Sequence, residues 1–333
     1  MAANPDKVKA GASLGLKFIA MGCAREPGTS RLFLGGSDFK VHEIDLAAAK
    51  PEPKEIGKHE SYVTCAALAG KTLVTGSYDR CLAWWDIESR KEIRRGEAHG
   101  KWIRAVEASP DGKRVASVAD DMVCKVWDAA TGKLVHEMRG HKEKTPHHFL
   151  SMLYAAAWSP DGKWLATGDK VGHVVVWDAA TGKQETALEA PGFYTWDGRQ
   201  RLHSIGGIRS LAFSPDGKTL AIGGTGKIGN IDHLEASARL EAFDWKAGKS
   251  LAVIEKCKGK GLVNRLAWDK AGKWVMGAGG AGNGFLNFYD VAGKKLMKEV
   301  DVKFHVHSFG TDDAMEKAWL VGHNGLATFD LKG

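Results

Sequence analysis

The feature that most constrains folding is a turn used again and again. Ser109-Pro-Asp-Gly-Lys113 recurs as Ser159-Pro-Asp-Gly-Lys163 and Ser214-Pro-Asp-Gly-Lys218, and Trp127-Asp-Ala-Ala-Thr-Gly-Lys133 returns unchanged as Trp177-Asp-Ala-Ala-Thr-Gly-Lys183. Self-similarity at a fixed period sets a whole architecture, because each unit must bury its apolar face against its neighbours. Pairs of an apolar residue and Asp close runs of alternating residues at Ile44-Asp45, Trp85-Asp86, Trp127-Asp128, Trp177-Asp178, Phe243-Asp244, Tyr289-Asp290 and Phe329-Asp330, with Asp-to-Asp spacings of 41, 42, 50, 66, 46 and 40. Within one period the chain reads as four short strands, at 103–108, 114–118, 123–127 and 133–138, rich in β-branched residues and bounded by turn chemistry. In Ser-Pro-Asp-Gly, Pro presets φ, Ser bonds locally and Gly accepts a positive φ.

With these seven endings the chain resembles the WD-repeat β-propeller family, in a bacterial-looking version of the motif. The resemblance covers nearly all of it and is most specific from the second to the fourth repeat. It implies an all-β fold: a seven-bladed propeller of four-stranded antiparallel blades, forming a single domain over 1–333. A four-stranded sheet cannot bury both faces alone, and radial stacking buries them while leaving only short edges. Closure familiar in this family predicts that residues around 5–11 supply the outer strand of the last blade, while 16–23 begin the first.

The family also implies a buried polar set in each blade: His, Ser or Thr, Asp and Trp. The second repeat offers His59, Thr75, Asp79 and Trp85, and the third His99, Ser117, Asp121 and Trp127. An indole N–H only donates, a hydroxyl both donates and accepts, and an imidazole can pass the chain on to a carboxylate. The fourth repeat keeps His141, Thr167 and Trp177 but has Val171 in the Asp position, so its network is expected to be incomplete. A His, Ser and Asp together also suit a hydrolase, but a set that recurs once per repeat is structural, and no enzyme activity is expected.

Glycine, 41 of 333 residues, is in excess because the turns need it, while 44% hydrophobic and 26% charged residues are the composition of a soluble globular protein. The five cysteines are scattered without a C-x-x-C, which signals neither zinc nor haem attachment and fits a reducing, cytoplasmic setting. The apolar stretch 12–22 is interrupted by Lys17 and is too short for a membrane span. No membrane association and no cofactor are expected. A net charge of +7 contains no run of five like charges and argues for solubility rather than for nucleic acid, and the domain is expected to be monomeric.

In a propeller the blade-to-blade links and second-to-third-strand loops share one face, the top, because strands alternate in direction. The irregular segments all fall there. They contribute His147, His148 and Phe149 between blades three and four, Phe193, Tyr194, Trp196, Arg199, Arg201 and His203 between blades four and five, and Asp232 and His233 within blade five. Trp, Tyr and Arg are enriched at interface hot spots, and a long unpatterned link is usually functional or disordered. These residues are the candidate surface for a protein or peptide partner, and the function expected is that of a non-catalytic interaction scaffold. The alternative for the same loops is that they only pack on one another and cap the channel.

Two other readings stay open. The histidines, with the alternating pair His305 and His307, suggest a metal or small-molecule site at the channel mouth, or a propeller enzyme, although no carboxylate or cysteine stands at ligand spacing. The turn lysines on the opposite face, among them Lys113, Lys163, Lys218, Lys249, Lys273 and Lys294, suit solubility, or else an acidic partner or nucleic acid. No stacking aromatics are interleaved with them, which weighs against nucleic acid. The run Gly277–Gly284 lacks a following helix and is read as a top-face loop, not a phosphate cradle.

Overall fold

The computed structural model describes residues 3–198, 202–229, 236–255 and 257–332, and the chain divides into two compact units. Unit 1 comprises 1–119, 125–137 and 307–333; unit 2 comprises 120–124 and 138–306. Both are β structure. Helix among the described residues is limited to two three-residue 3-10 turns, Pro5–Lys7 and Pro191–Phe193.

The sheets are blade-like, antiparallel and built in sequence order. One in unit 1 has the strands Val63–Ala69, Thr72–Ser77, Cys81–Asp86 and Lys91–Glu97. The next, Ile103–Ala108, Arg114–Ala119, Val123–Asp128 and Leu134–Arg139, matches the expected strands to within a residue at each end. Unit 2 holds three more four-stranded sheets, which start at Leu153–Trp158, Ile208–Phe213 and Leu262–Trp268. Burial follows the expected logic: second and third strands are buried nearly throughout, as in Leu73, Val74, Leu82 and Ala83, while fourth strands such as Lys91–Glu97 are exposed on both faces. Inner strands therefore read as apolar runs and outer ones do not.

The first sheet is different. It has six strands, in the order Val306–Thr311, Lys317–Asp330, Lys9–Arg25, Arg31–Gly36, Lys40–Asp45 and Lys54–Lys58. The 17-residue strand Lys9–Arg25 serves two partners in succession. Its first part pairs with Lys317–Asp330 (Lys9 opposite Asp330, Ala10 opposite Phe329, Leu14 opposite Leu326), and its second part pairs with Arg31–Gly36 (Cys23 opposite Leu34). Residues 5–7 form a 3-10 turn rather than strand, because Pro5 has no N–H to give a ladder; Asn4 N–H instead donates to Leu331 O at 2.7 Å.

The turns carry the chemistry expected of them. In Ser109-Pro-Asp-Gly, Gly112 N–H donates to Ser109 O at 2.8 Å with φ +68°, Ser109 Oγ donates to Asp111 Oδ1 at 2.6 Å, and Arg114 N–H donates back to Ser109 Oγ at 2.9 Å. The turns at Ser159 and Ser214 repeat these bonds.

One outer-strand glycine is a packing requirement. A Cβ on Gly57 would lie 2.0 Å from Cζ3 of Trp85, whose ring is 2% exposed and cannot give way. Gly57→Ala is expected to cost about 3 kcal/mol, the upper range for overpacking a rigid core. Gly96, in the outer strand of the same sheet, has open space where its Cβ would be, so Gly96→Ala should be nearly neutral. Urea denaturation of the two variants makes the comparison.

Candidate functional site

The buried polar sets decide whether His, Ser and Asp are there for chemistry. His59 Nδ1 lies 2.9 Å from Asp79 Oδ2, its Nε2 lies 2.9 Å from Thr75 Oγ1, and Trp85 Nε1–H donates to the same hydroxyl at 2.8 Å. His99, Ser117 and Trp127 repeat the arrangement at 2.7 and 2.9 Å, and Asp121 Oδ1 accepts from Val123 N–H. The fourth repeat corrects the sequence reading. His141 meets Asp169 Oδ2 at 2.9 Å and Thr167 Oγ1 at 2.8 Å, and Trp177 donates to Thr167 at 2.9 Å, so the set is complete. The carboxylate comes from Asp169, two residues before Val171, at the end of its strand, and its Oδ1 also accepts the N–H groups of Val171 and His173. Thr75, Ser117 and Thr167 are fully buried and each holds an indole, so none is placed as a nucleophile.

Burial pushes two thiols up, Cys65 to about 12 and Cys257 to about 11, and it raises Cys124 and Cys81 as well. None of these four is an activated thiolate.

The link segments of unit 2 hold a cluster of rings. The segment between Glu189 and Ile208 is not irregular, as its composition suggested; after the 3-10 turn it forms a hairpin, Tyr194–Asp197 against His203–Gly206, with Trp196 opposite Ser204. Alternation then sorts its side chains. Thr195 turns inward, where its Oγ1 accepts Ile228 N–H at 3.0 Å, while Tyr194 and Trp196 share the other face. The segment before it folds into a tight loop closed by Thr145 N–H to Phe149 O at 2.8 Å, with His148 at φ +65°. This loop lays His147 on Trp196 (ring centroids 4.6 Å, planes 16° apart) and brings its Nδ1 to 3.0 Å from Tyr194 Oη. Phe149 completes the cluster at 5.0 Å from Trp196 and 6.4 Å from His203.

The predicted surface residues therefore fall into three groups. His147, Phe149, Tyr194, Trp196 and His203 come together, with His148 exposed beside them. Phe193 is corrected: it is 0% exposed, packed with Ile208, Leu211 and Ile222 in the core and covered by the Arg239 guanidinium at 5.5 Å. Arg199, Arg201, Asp232 and His233 lie outside the described residues. Of the remaining histidines, His305 Nε2 is 2.9 Å from Asn264 Nδ2 within unit 2, and His307 stacks on His323 at 4.9 Å within unit 1.

Sequence reasoning missed a second aromatic assembly, in unit 1. Phe39, Tyr62, Tyr78 and Trp102 run edge to face and then stacked, with centroid separations of 5.4, 5.9 and 4.4 Å. The Arg104 guanidinium lies 4.9 Å over Tyr78 and 5.4 Å over Trp102. Phe39, Tyr62 and Trp102 are 42, 42 and 49% exposed, unusual for rings this size. The signal was present: Tyr62 and Trp102 each immediately precede an inner strand, and Phe39 and Tyr78 each sit in a second-to-third-strand loop.

Comparison with known proteins agrees with this architecture. The family model described as "WD domain, G-beta repeat" matches residues 52–86, 90–128, 132–178 and 199–228. Among curated proteins the chain is similar to the nuclear distribution protein nudF of Emericella nidulans (28% identical over 146 residues, 37% of this chain and 32% of that protein). It is also similar to the small ribosomal subunit protein RACK1y of Oryza sativa subsp. japonica (31% over 84 residues, 24% of this chain and 25% of that protein). The chain spans about a third or less of the length of these relatives. No helix among the described residues is long and apolar enough to cross a membrane. Repeated turns, blade-like sheets, indole-centred polar sets and four matching segments together make this an all-β chain that carries WD40 repeats.

Proposed function

We propose that this chain is a non-catalytic protein-interaction scaffold, which takes a peptide or protein partner on the link segments around 143–206. The observation that carries the proposal is the cluster of His147, Phe149, Tyr194, Trp196 and His203. It is held by a hairpin and a closed loop, so that little ordering cost remains to be met on binding. Rigid aromatic anchors with polar tips are what interface hot spots are made of. Similarity to nudF and RACK1y supports a binding role rather than a reaction, as do the fully occupied hydroxyls and raised thiols. The aromatic assembly around Trp102 offers a second contact surface, favoured by its exposure.

The blade count belongs to the same proposal. The six-stranded sheet is read as two blades that share the strand Lys9–Arg25, which brings the number to seven; support comes from its two successive pairings. A single domain and a cytoplasmic, reducing residence complete it, the latter supported by five free cysteines. Substituting Trp196, Arg199 and Arg201 together by Ala should abolish partner capture in affinity purification with the melting midpoint unchanged. Undiminished capture of the same partners would refute the site.

A further inference from the structure

On the turn side of unit 2, a groove of about 970 Å³ lies between the sheets that begin at Ile208 and Leu262. Pro215, Leu251 and the partly open ring of Trp268 contribute apolar surface, and Lys249, Lys270, Lys273 and Lys294 stand around it with one carboxylate, Asp216. That carboxylate is occupied: it accepts from Ser214 Oγ at 2.6 Å and Lys218 N–H at 3.1 Å.

The charge imbalance has a specific origin in sequence. Where three turns read Ser-Pro-Asp-Gly-Lys, the turn here reads Asp269-Lys-Ala-Gly-Lys273, so a lysine replaces Pro and an alanine replaces the exposed Asp. The new Asp269 is 8% exposed and turned inward, accepting the N–H groups of Ala271, Lys273 and Trp274. In the ordinary turns the closing lysine stands near its own carboxylate, Lys113 at 4.0 Å from Asp111 and Lys163 at 3.8 Å from Asp161. The substitution removes that option for Lys273. Among the described residues, no ion pair is formed by the four groove lysines.

A neighbouring recess of about 720 Å³ serves as an internal comparison. It shares Pro215 and Asp216 with the groove but sets Asp161, Asp216 and Asp244 against Lys218 and Lys246, and Lys246 lies over the rings of Trp164 and Trp245 at 5.3 Å each. Carboxylates outnumber lysines there by one, whereas lysines outnumber carboxylates in the groove by three.

We infer that the groove is a binding site for a short acidic peptide segment, with Asp or Glu side chains on the lysines and one apolar side chain against Trp268, Leu251 and Pro215. Complementary charge gives such a site its selectivity and its rate of encounter, and apolar contact gives it residence. A nucleic acid fits less well. Single strands are held by successive stacking rings, and the groove offers one indole, whose N–H is already given to Ala212 O at 3.0 Å.

The test uses the full chain and a blocked, fluorescein-labelled peptide Glu-Glu-Phe-Glu-Glu, read by anisotropy, with Lys-Lys-Phe-Lys-Lys and a thymidine decanucleotide as comparison probes. The acidic peptide is expected to bind saturably and to weaken steeply with salt. Lys270→Glu with Lys273→Glu should weaken it about tenfold or more, while Lys218→Glu with Lys246→Glu in the neighbouring recess should leave it within about twofold. Trp196→Ala should not change it, so this result and the fate of the link-segment surface are read separately. No saturable binding, equal binding by the groove and recess variants, or tighter binding of the decanucleotide would each overturn the assignment.

Discussion

Removal of residues 1–12 is expected to lower the melting midpoint by about 10 °C, the shift that about 4 kcal/mol produces in a protein unit of this size. The deletion takes away the pairings of Lys9 with Asp330 and Ala10 with Phe329, and the bond from Asn4 to Leu331. Each lost backbone bond contributes about 1 kcal/mol. It also uncovers Phe329 and Leu331, now 3 and 0% exposed, and leaves the end of the final strand, at Phe329 and Asp330, as an unpaired edge open to aggregation. Ala10→Pro tests the pairing without shortening the chain, since proline removes a ladder donor at one residue, a loss of about 1 kcal/mol. A midpoint unchanged in both variants would show that the N-terminal part of the strand Lys9–Arg25 does not hold the sheet together.

The second large effect is in acid, and it separates two polar sets that look alike. Burial alone would raise the Asp79 carboxyl, but bonds to His59 and from the N–H groups of Glu60 and Cys81 outweigh it and hold the group at about 2. Its unfolded value is about 3.9, so the carboxylate contributes about 2 kcal/mol above that pH, and the contribution is lost as pH falls from about 4 through 2. His141 behaves differently. Burial lowers it, and this outweighs the opposing bond to Asp169, so the folded form is the neutral imidazole. Its contribution is present above its unfolded value of about 6.5 and declines as pH falls below that.

The sheet to which His141 is bonded through Thr167 should therefore loosen at mildly acidic pH while the one whose loop carries Asp79 still holds. Hydrogen exchange of peptides 164–178 and 72–86, corrected for intrinsic rates, would show this as a difference in onset of about two pH units. Simultaneous loosening would contradict it. In Asp79→Asn the transition between pH 4 and 2 should flatten, with stability at neutral pH lower by about 2 kcal/mol.

Much of this fold could be read from residues. Turn chemistry is local, so Ser-Pro-Asp-Gly-Lys announces its own bonds, and Trp85, Trp127 and Trp177 mark the third strands. What failed depended on geometry across a loop. The carboxylate serving His141 comes from Asp169, which holds the place of Ser77 in the second repeat and reaches the imidazole from the strand end, while the left-handed residue keeps its place in both loops, at Arg80 (φ +73°) and Gly172 (φ +89°). A positional template cannot follow a side chain that reaches one place from another start. Phe193 was misplaced for a related reason. Composition marks an aromatic in a link as a surface candidate, but the 3-10 turn Pro191–Phe193 turns that ring into the core. The rings around Trp102 were legible position by position but not as a group, because their order along the assembly is set by spatial packing.

The shared strand has a consequence for how the protein is made. Arg25, at its far end, is bonded to Asp313, 288 residues later, and Lys9 waits for Asp330. Loop closure over such a distance costs little more at equilibrium than over a shorter one, because the cost rises only with the logarithm of length. In time it costs more, since distant pairings form slowly. The sheets that start at Val63, Ile103 and Leu153 pair only with their own neighbours in sequence and can form as they emerge from the ribosome. The strand Lys9–Arg25, synthesised before all of these, gains its second partner only when Lys317–Asp330 has been made. Until then the nascent chain carries one open β-edge along Lys9–Arg25, and that segment is where chaperone dependence should concentrate.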